Sequence, residues 1–324
     1  MNLNLLKCHG SNNDFILIDE VAGINPPIPE SARSPITKTL CDRETGIGAD
    51  GVLFYLPSDT ADCQMRMFNP DGSEAEMCGN GLRCVGRYCT ERLARTKVLV
   101  ETKRSVLCVE KGAQIYEGIE TFEAEIGPVS LEPSSLPMVA DGTSFQNKAL
   151  PELQRPFPFT ALTVPNPHIV TVVHHIDREM VQQCGVIANN SRTFPRGVNV
   201  SFVRDLGNNS IFVVTYERGV GITNSCGTAM SASSYVASLN GITRFGAPIH
   251  VFNVGGMVVC EISDKDSNII LKGNATFVFE AMVTLSEDAV SIVRQHRGEI
   301  RADEVSAYAS LQEYASSMIG AVTD

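Results

Sequence analysis

The sequence predicts a mixed α/β protein built from two similar domains. Three observations carry that prediction. Short apolar runs bounded by Gly, Pro, Asn and Asp dominate the chain, which is the pattern of strands between turns. Two helical stretches each open on Cys-Gly and a polar residue, at Cys78-Gly79-Asn80 and Cys226-Gly227-Thr228. Four landmarks also recur in the same order in the two halves, the mark of a duplicated unit.

In chain order, the first half reads as strands over 15–18, 52–56, 65–68, 97–101 and 107–110, with a helix over 81–94. A Pro-rich stretch over 130–159 reads as a surface connection. The second half reads as strands over 169–173, 198–203, 211–216, 249–253 and 256–262, with a helix over 228–239. A third helical pattern lies over 287–297. The landmarks of the first half are Asn13 before a strand, Gly48 before a strand, a strand ending at Asn69, and Cys78 after eight intervening residues. Those of the second are Asn166, Gly197, a strand ending at Glu217, and Cys226, again after eight residues. Cys78 follows Asn13 by 65 residues and Cys226 follows Asn166 by 60. The expected domains are 1–125 with Cys78, completed by about 274–285, and 126–273 with Cys226, followed by a helical extension over 286–324.

The chain of 324 residues suits two domains at ~150 residues each. Its hydrophobic fraction of 43% supplies a large core, and 19% charged residues is too few for a disordered chain. Lys and Arg number 26 against 37 Asp and Glu, a net charge of −11, which argues against a nucleic-acid partner. No run approaches the ~18 apolar residues of a membrane span. The N-terminus turns polar after Leu6 with no apolar signal region, so a cytoplasmic chain is expected. The ten cysteines contain no CxxC pair, so the usual zinc and thioredoxin spacings are absent, and no metal is expected.

Most of those cysteines read as small buried apolar residues, Cys84 and Cys89 among them. Cys78 and Cys226 read otherwise because of their neighbours. A helix N-terminus presents unpaired N–H groups and positive partial charge, which makes a thiolate accessible near neutral pH. Gly79-Asn80 and Gly227-Thr228 bring backbone N–H groups close to a ligand, where they suit a carboxylate. Two such mouths facing one cleft would let one thiolate remove a proton beside the carboxylate while the other thiol returns one to the opposite face. That inverts a stereocentre, with the developing charge held by the N–H groups, and needs no cofactor.

Asn13, Asn69, Asn166, His168, Asn199, Glu217 and Arg218 are candidates to hold the rest of a small-molecule substrate. The plainer readings are turn-forming for the asparagines, a rim ion pair for Glu217 and Arg218, and a strand-end role for His168. The run Gly46-Ile47-Gly48-Ala49-Asp50-Gly51 matches a dinucleotide pattern, but a strand follows it instead of preceding it, so it reads as a turn.

On its motifs the sequence resembles the diaminopimelate epimerases. The shared stretches begin with His9-Gly10-Ser11-Asn12-Asn13-Asp14-Phe15 and Gly46-Ile47-Gly48-Ala49-Asp50-Gly51. Next come Phe68-Asn69-Pro70-Asp71-Gly72-Ser73 and Met77-Cys78-Gly79-Asn80-Gly81-Leu82-Arg83. Pro165-Asn166-Pro167-His168, Val198-Asn199-Val200 and Glu217-Arg218-Gly219-Val220-Gly221-Ile222-Thr223 follow. Cys226-Gly227-Thr228 and Gly273-Asn274-Ala275-Thr276 close the set.

The resemblance implies two pseudo-symmetric domains, each a barrel-like mixed sheet around a central helix. It implies a cofactor-independent epimerase that interconverts LL- and meso-2,6-diaminopimelate on the way to lysine and peptidoglycan precursors. Cys78 and Cys226 match the acid/base pair, with Cys78 giving and Cys226 taking a proton in the LL-to-meso direction. His168 and Glu217 match residues that support the cysteines. Asn13, Asn69, Asn166, Asn199, Glu217 and Arg218 match substrate contacts, and Gly79, Asn80, Gly227 and Thr228 match the carboxylate cradle. A homodimer is also implied. The chain departs from the pattern at Gly51, where many members carry a glutamine, and at Ala229 and Asn12, where glycines are frequent. Phe279 stands where a tyrosine linked to dimer contacts is usual. The alternatives are a related racemase acting on another amino acid, such as histidine, and a redox-sensing binding protein.

Overall fold

The computed structural model describes residues 1–21, 23–264 and 268–320. Residues 265–267 of the expected second domain and 321–324 of the expected extension lie outside the described residues. The chain divides into two compact units, Met1–Ala124 with Gly273–Ser310, and Glu125–Lys272 with Leu311–Asp324.

In the first unit, Asn2–Gly10 runs antiparallel to Asn13–Asp19, which runs parallel to Gly51–Leu56. That strand is antiparallel to Cys63–Phe68, which pairs antiparallel with the short Glu74–Ala75 and parallel with Lys97–Glu101. Val106–Lys111 and Thr121–Ile126 follow, both antiparallel.

The second unit repeats this order of pairings. Thr160–Thr163 is antiparallel to Pro167–Val172, which is parallel to Asn199–Gly207, itself antiparallel to Ser210–Glu217. Ser210–Glu217 pairs antiparallel with the short Gly221–Thr223 and parallel with Ile249–Asn253. Gly256–Ile262 and Ile269–Asn274 follow, both antiparallel. Even the register repeats. Phe15, two residues past Asn13, pairs with Gly51, and His168, two past Asn166, pairs with Asn199. Gly48 and Gly197, the second landmarks, both take left-handed φ, +78° and +72°, which glycine adopts without a Cβ penalty.

The helices occupy matching places too. Helix α1 (Glu30–Cys41) and α3 (Arg178–Asn189) each bridge the parallel pair of their unit, while α2 (Gly79–Leu93) and α4 (Gly227–Leu239) follow the short strand. Both α2 and α4 are central. Buried residues run almost unbroken from Gly79 to Thr90 in α2 and from Gly227 to Ser238 in α4, so each is enclosed on all faces rather than along one stripe. Glycines make the close packing of α2 possible: a Cβ at Gly86 would lie 2.3 Å from the Val109 side chain. The outer helices cover the other side of each sheet. Ile36 and Leu40 of α1 pack with Leu3, Ile16, Ile18 and Phe54, and Val181 and Cys184 of α3 pack with Ile169, Val200 and Phe202.

The stretch 130–159 holds two single-turn 3-10 helices, Pro133–Ser135 and Pro151–Leu153, in otherwise irregular chain. The extension corrects an expectation. No helix forms over 287–297; Ile292–Ile300 is a strand, antiparallel to Thr276–Leu285, and the helix α5 (Ala302–Gly320) follows it. A largely exposed edge strand has no buried face to impose the apolar alternation by which a strand is read. Among the described residues no helix is long and apolar enough to cross a membrane.

Candidate active site

Cys78 and Cys226 occupy equivalent positions. Each is the N-cap of its central helix, in extended backbone at φ −144°, ψ 109° and φ −134°, ψ 113°. Each cysteine is partly exposed as a residue, though the Cys226 thiol itself is turned into enclosed surroundings. Their surroundings differ, and the difference is chemical.

At the first mouth, the Gly81 N–H donates to Cys78 Sγ at 3.4 Å, one of the unpaired donors that a helix start supplies. The Cys78 thiol in turn lies 3.9 Å from Asn13 Oδ1, to which it donates. Asn80 Nδ2 donates to the same oxygen at 3.2 Å. Asn13 Nδ2 donates to Asp50 Oδ2 at 2.9 Å, which fixes the amide's orientation. Local backbone explains why Asn13 arrives there. Ser11 and Asn12 both hold left-handed φ, 53° and 62°, and form the two-residue turn of a hairpin closed by the Gly10–Asn13 pair. Asn12 tolerates that conformation better than most residues.

Asn69 follows directly on the strand Cys63–Phe68. It holds its own turn, its N–H donating to the Ser73 carbonyl at 2.8 Å and its Nδ2 to Ser73 Oγ at 3.0 Å.

At the second mouth, Cys226 Sγ lies 3.5 Å from Thr228 Oγ1. Burial pushes this thiol well above its ordinary range, and the adjacent Glu217 carboxylate pushes it further; the Thr228 hydroxyl and the Ala229 N–H pull the other way. Glu217 is itself held by the Thr223 hydroxyl, which donates to Oε1 across the Ser210–Glu217 and Gly221–Thr223 pair. Asn199 Oδ1 accepts the Arg218 N–H at 2.9 Å, so Asn199 shapes the turn that carries Glu217 and Arg218. The Arg218 stem crosses Gly197, where a Cβ would lie 2.7 Å from its Cδ, and Nη1 donates to the Arg196 carbonyl at 2.9 Å.

His168 is fully buried, 2.8 Å from Asn166 Oδ1 through Nε2. Because that oxygen can only accept, Nε2 carries the proton and Nδ1 is the basic nitrogen. Burial, reinforced by the Arg218 charge, lowers its pKa to about 3, so the ring is neutral at physiological pH.

The structure therefore gathers Asn13, Gly79 and Asn80 around Cys78. It places Glu217 and Thr228 at Cys226, with Asn166, His168, Asn199 and Arg218 in the same unit. Cys84 and Cys89 are fully buried core residues of α2, Cys89 accepting from the Tyr55 hydroxyl at 3.4 Å. The run 46–51 is a turn that wraps the end of α1, with Ile47 and Gly48 both donating to the Leu40 carbonyl. Sequence reasoning missed Asp50 inside that run and Thr223 in the later motif. Both orient a residue of the site, Asp50 through the Asn13 amide and Thr223 through the Glu217 carboxylate. Gly51 is tightly enclosed: a Cβ there would lie 2.7 Å from Met67 Cε and from the Phe68 carbonyl, so a glutamine at this position would need the strand to shift. Phe279 is buried beneath Arg297, whose guanidinium carbon stands 3.8 Å from the ring centre.

The family model described as diaminopimelate epimerase matches residues 5–117 and 160–278. A diaminopimelate epimerase of Clostridium acetobutylicum is 44% identical over 292 residues, covering 89% of this chain and 87% of that protein. One from Listeria monocytogenes is 41% identical over 298 residues, covering 89% and 91%. Among solved structures, a Bacillus anthracis phenazine biosynthesis protein of the PhzF family aligns with a TM-score of 0.63 at 14% identity, covering 88% of this chain and all of that one. At that identity the likeness is one of fold.

Proposed function

The chain belongs to the diaminopimelate epimerase family, and from that membership we infer that it interconverts LL- and meso-2,6-diaminopimelate by moving protons between one α-carbon and two thiols. The observation that supports this most is the pair of equivalent N-cap cysteines, each followed by glycine, at the start of two central helices.

In the proposed reaction, the thiolate of Cys226 takes the α-proton of the LL isomer and becomes a thiol. The electron pair left on carbon spreads into the neighbouring carboxylate, whose oxygens receive the N–H groups of Gly79-Asn80 and Gly227-Thr228. Cys78 then gives its thiol proton to the opposite face of the carbon and is left as a thiolate, to which the Gly81 N–H donates. One proton has left carbon and one has arrived, so no redox partner or cofactor is called on. The reaction requires the two thiols to reach opposite faces of one bound α-carbon.

Glu217 is assigned to Cys226, where its carboxylate can accept the thiol proton before catalysis. Neutral His168 is assigned to the same mouth, with its Nε2–H held by Asn166 and its buried Nδ1 left to accept. Asn13, Asn69, Asn166, Asn199, Glu217 and Arg218 are assigned to reading the distal amino-acid end, with Arg218 suited to the second carboxylate. A cytoplasmic homodimer belongs to the same reading, and sedimentation as a monomer at working concentration would remove the dimer.

Chiral chromatography of LL-diaminopimelate incubated with the purified, reduced protein tests the assignment. Appearance of the meso form supports it. A folded protein that leaves diaminopimelate unchanged but racemises histidine or proline overturns it.

A further inference from the structure

Arg83 is among the largest fully buried side chains of the protein, one turn beyond Gly79 on α2. Burying a guanidinium is costly unless its donors are satisfied, and here they are aimed at specific acceptors. Nε donates to the Asn274 carbonyl at 3.1 Å, and Nη1 reaches the Gly79 carbonyl at 3.5 Å. Nη2 donates to Ser11 Oγ at 3.1 Å and to Asn80 Oδ1 at 3.0 Å. The niche is kept open by two glycines. A Cβ at Gly10 would lie 3.0 Å from Nη2, and one at Gly273 would lie 2.9 Å from the guanidinium carbon.

These contacts continue to the thiol. A guanidinium can only donate, so Asn80 must present its oxygen to Arg83 and therefore its Nδ2 to Asn13. Asn13 must then present its own oxygen to Asn80, the same oxygen to which the Cys78 thiol donates. Asp50 secures the far end of Asn13 through Nδ2. We propose that Arg83 is a positioning residue for the reaction: through the ordered amides of Asn80 and Asn13 it holds an acceptor against Cys78 and so keeps this cysteine as the proton-bearing partner.

The proposal rests on the assignment of Cys78 as an acid/base residue. An oxygen aimed at sulfur favours the thiol over the thiolate, because an acceptor facing an anion is unfavourable. Without the fork, Asp50 still sets which way Asn13 faces, but Asn80 no longer holds the Asn13 oxygen against sulfur, so the acceptor that disfavours the thiolate recedes. The charged groups bonded around this relay are Arg83 on α2, Asp50 and Asp14, with Arg43 and Lys7 paired to Asp14. His9, buried behind Asn274 and packed edge-on against Tyr308, is held neutral by burial, its pKa lowered to about 4.

Arg83→Lys tests the relay, because it keeps the charge and removes the fork. Alkylation of Cys78 by iodoacetamide, followed across pH by mass spectrometry, reads the thiol without needing turnover. The expected result is a midpoint lower than wild type by about half a unit or more. The same variant should lose kcat roughly 10- to 100-fold and raise KM by much less, since Asn13 and Asn80 also face substrate but the thiol they position carries the proton. Asn80→Ala removes the middle link without touching the cation and should lower the midpoint in the same direction, so the idea stays testable if Arg83→Lys does not fold. Wild-type midpoint and kcat in folded Arg83→Lys would overturn the relay. A wild-type protein without epimerase activity would instead overturn the proposed function, with the alkylation profiles still judging the relay separately.

Discussion

Arg87 of α2 and Glu304 of α5 meet in a two-pronged ion pair, with Nη2 to Oε1 at 2.9 Å and Nη1 to Oε2 at 2.5 Å. The arginine is almost fully buried, its Nη1 also donates to the Ala275 carbonyl, and Glu304 Oε2 accepts the Phe277 N–H. The terminal helix is thus tied to the same helix that carries Cys78 at its other end. Tyr308, a turn further along α5, packs on His9, whose Nδ1 lies 3.3 Å from Asn274 Nδ2. The extension is part of the first unit's structure there, not an appendage.

Glu304→Ala should therefore destabilise the protein by about 2–4 kcal/mol, because it leaves a buried arginine without its main counter-charge. Burial alone would raise the Glu304 pKa, but Arg87 and the Phe277 N–H outweigh it and hold the carboxyl below its ordinary range. The lowered folded value fixes the sign. The stabilisation is complete above the ordinary carboxylate pKa and is lost as pH falls through that range toward the folded value. Urea denaturation at neutral and acidic pH reads both effects, and an unchanged midpoint in the variant at neutral pH would refute the pair's importance.

Glu217→Gln should make Cys226 easier to ionise. After burial, the Glu217 charge is the next cause holding that thiol up, and the amide removes the charge while keeping the shape. The midpoint for alkylating Cys226 should fall by about one unit. Turnover should nevertheless drop by roughly 10²-fold, because the carboxylate that accepts the thiol proton is gone. A midpoint that stays put would separate Glu217 from this thiol.

His168 should remain neutral through the whole working range. Its folded pKa of about 3 lies below the unfolded value, so the unfolded chain takes up a proton first as pH falls. Its contribution to stability is complete above the ordinary histidine pKa and is lost as pH falls toward about 3. Nitrogen-15 NMR of the imidazoles should show His168 as a neutral Nε2–H tautomer from pH 8 to 5. A resonance titrating near pH 6 to 7 would contradict the buried environment.

Much of this was readable from the residues. The strands 249–253 and 256–262 fall where their apolar runs lie, because buried strands advertise themselves by composition, and 97–101 falls where Val98 and Val100 turn inward. The duplication was legible through Asn13, Gly48, Cys78 and their counterparts, since a left-handed turn and a helix mouth each demand particular residues. Helix α1 was hidden by Pro35 within it, and α3 by Gly185. The structure shows why that glycine is needed: a Cβ there would stand 2.0 Å from the Tyr216 ring. Arg83 carried no legible signal beyond its place in a motif, because its role depends on acceptors from positions 11 and 274, far away in sequence. The strand Ile292–Ile300 was misread because main-chain pairing, not side-chain burial, holds it.

The central claim is that two separate thiols exchange protons with one α-carbon. Incubating LL-diaminopimelate with the protein in D2O, and stopping while little has reacted, tests it most directly. NMR and chiral analysis would then locate deuterium in product and in recovered substrate. The two-thiol account predicts meso product carrying solvent deuterium at the inverted carbon, while the remaining LL substrate stays largely protiated. Product that retains the substrate's own proton at that carbon would show a single base delivering what it removed, and would contradict the account.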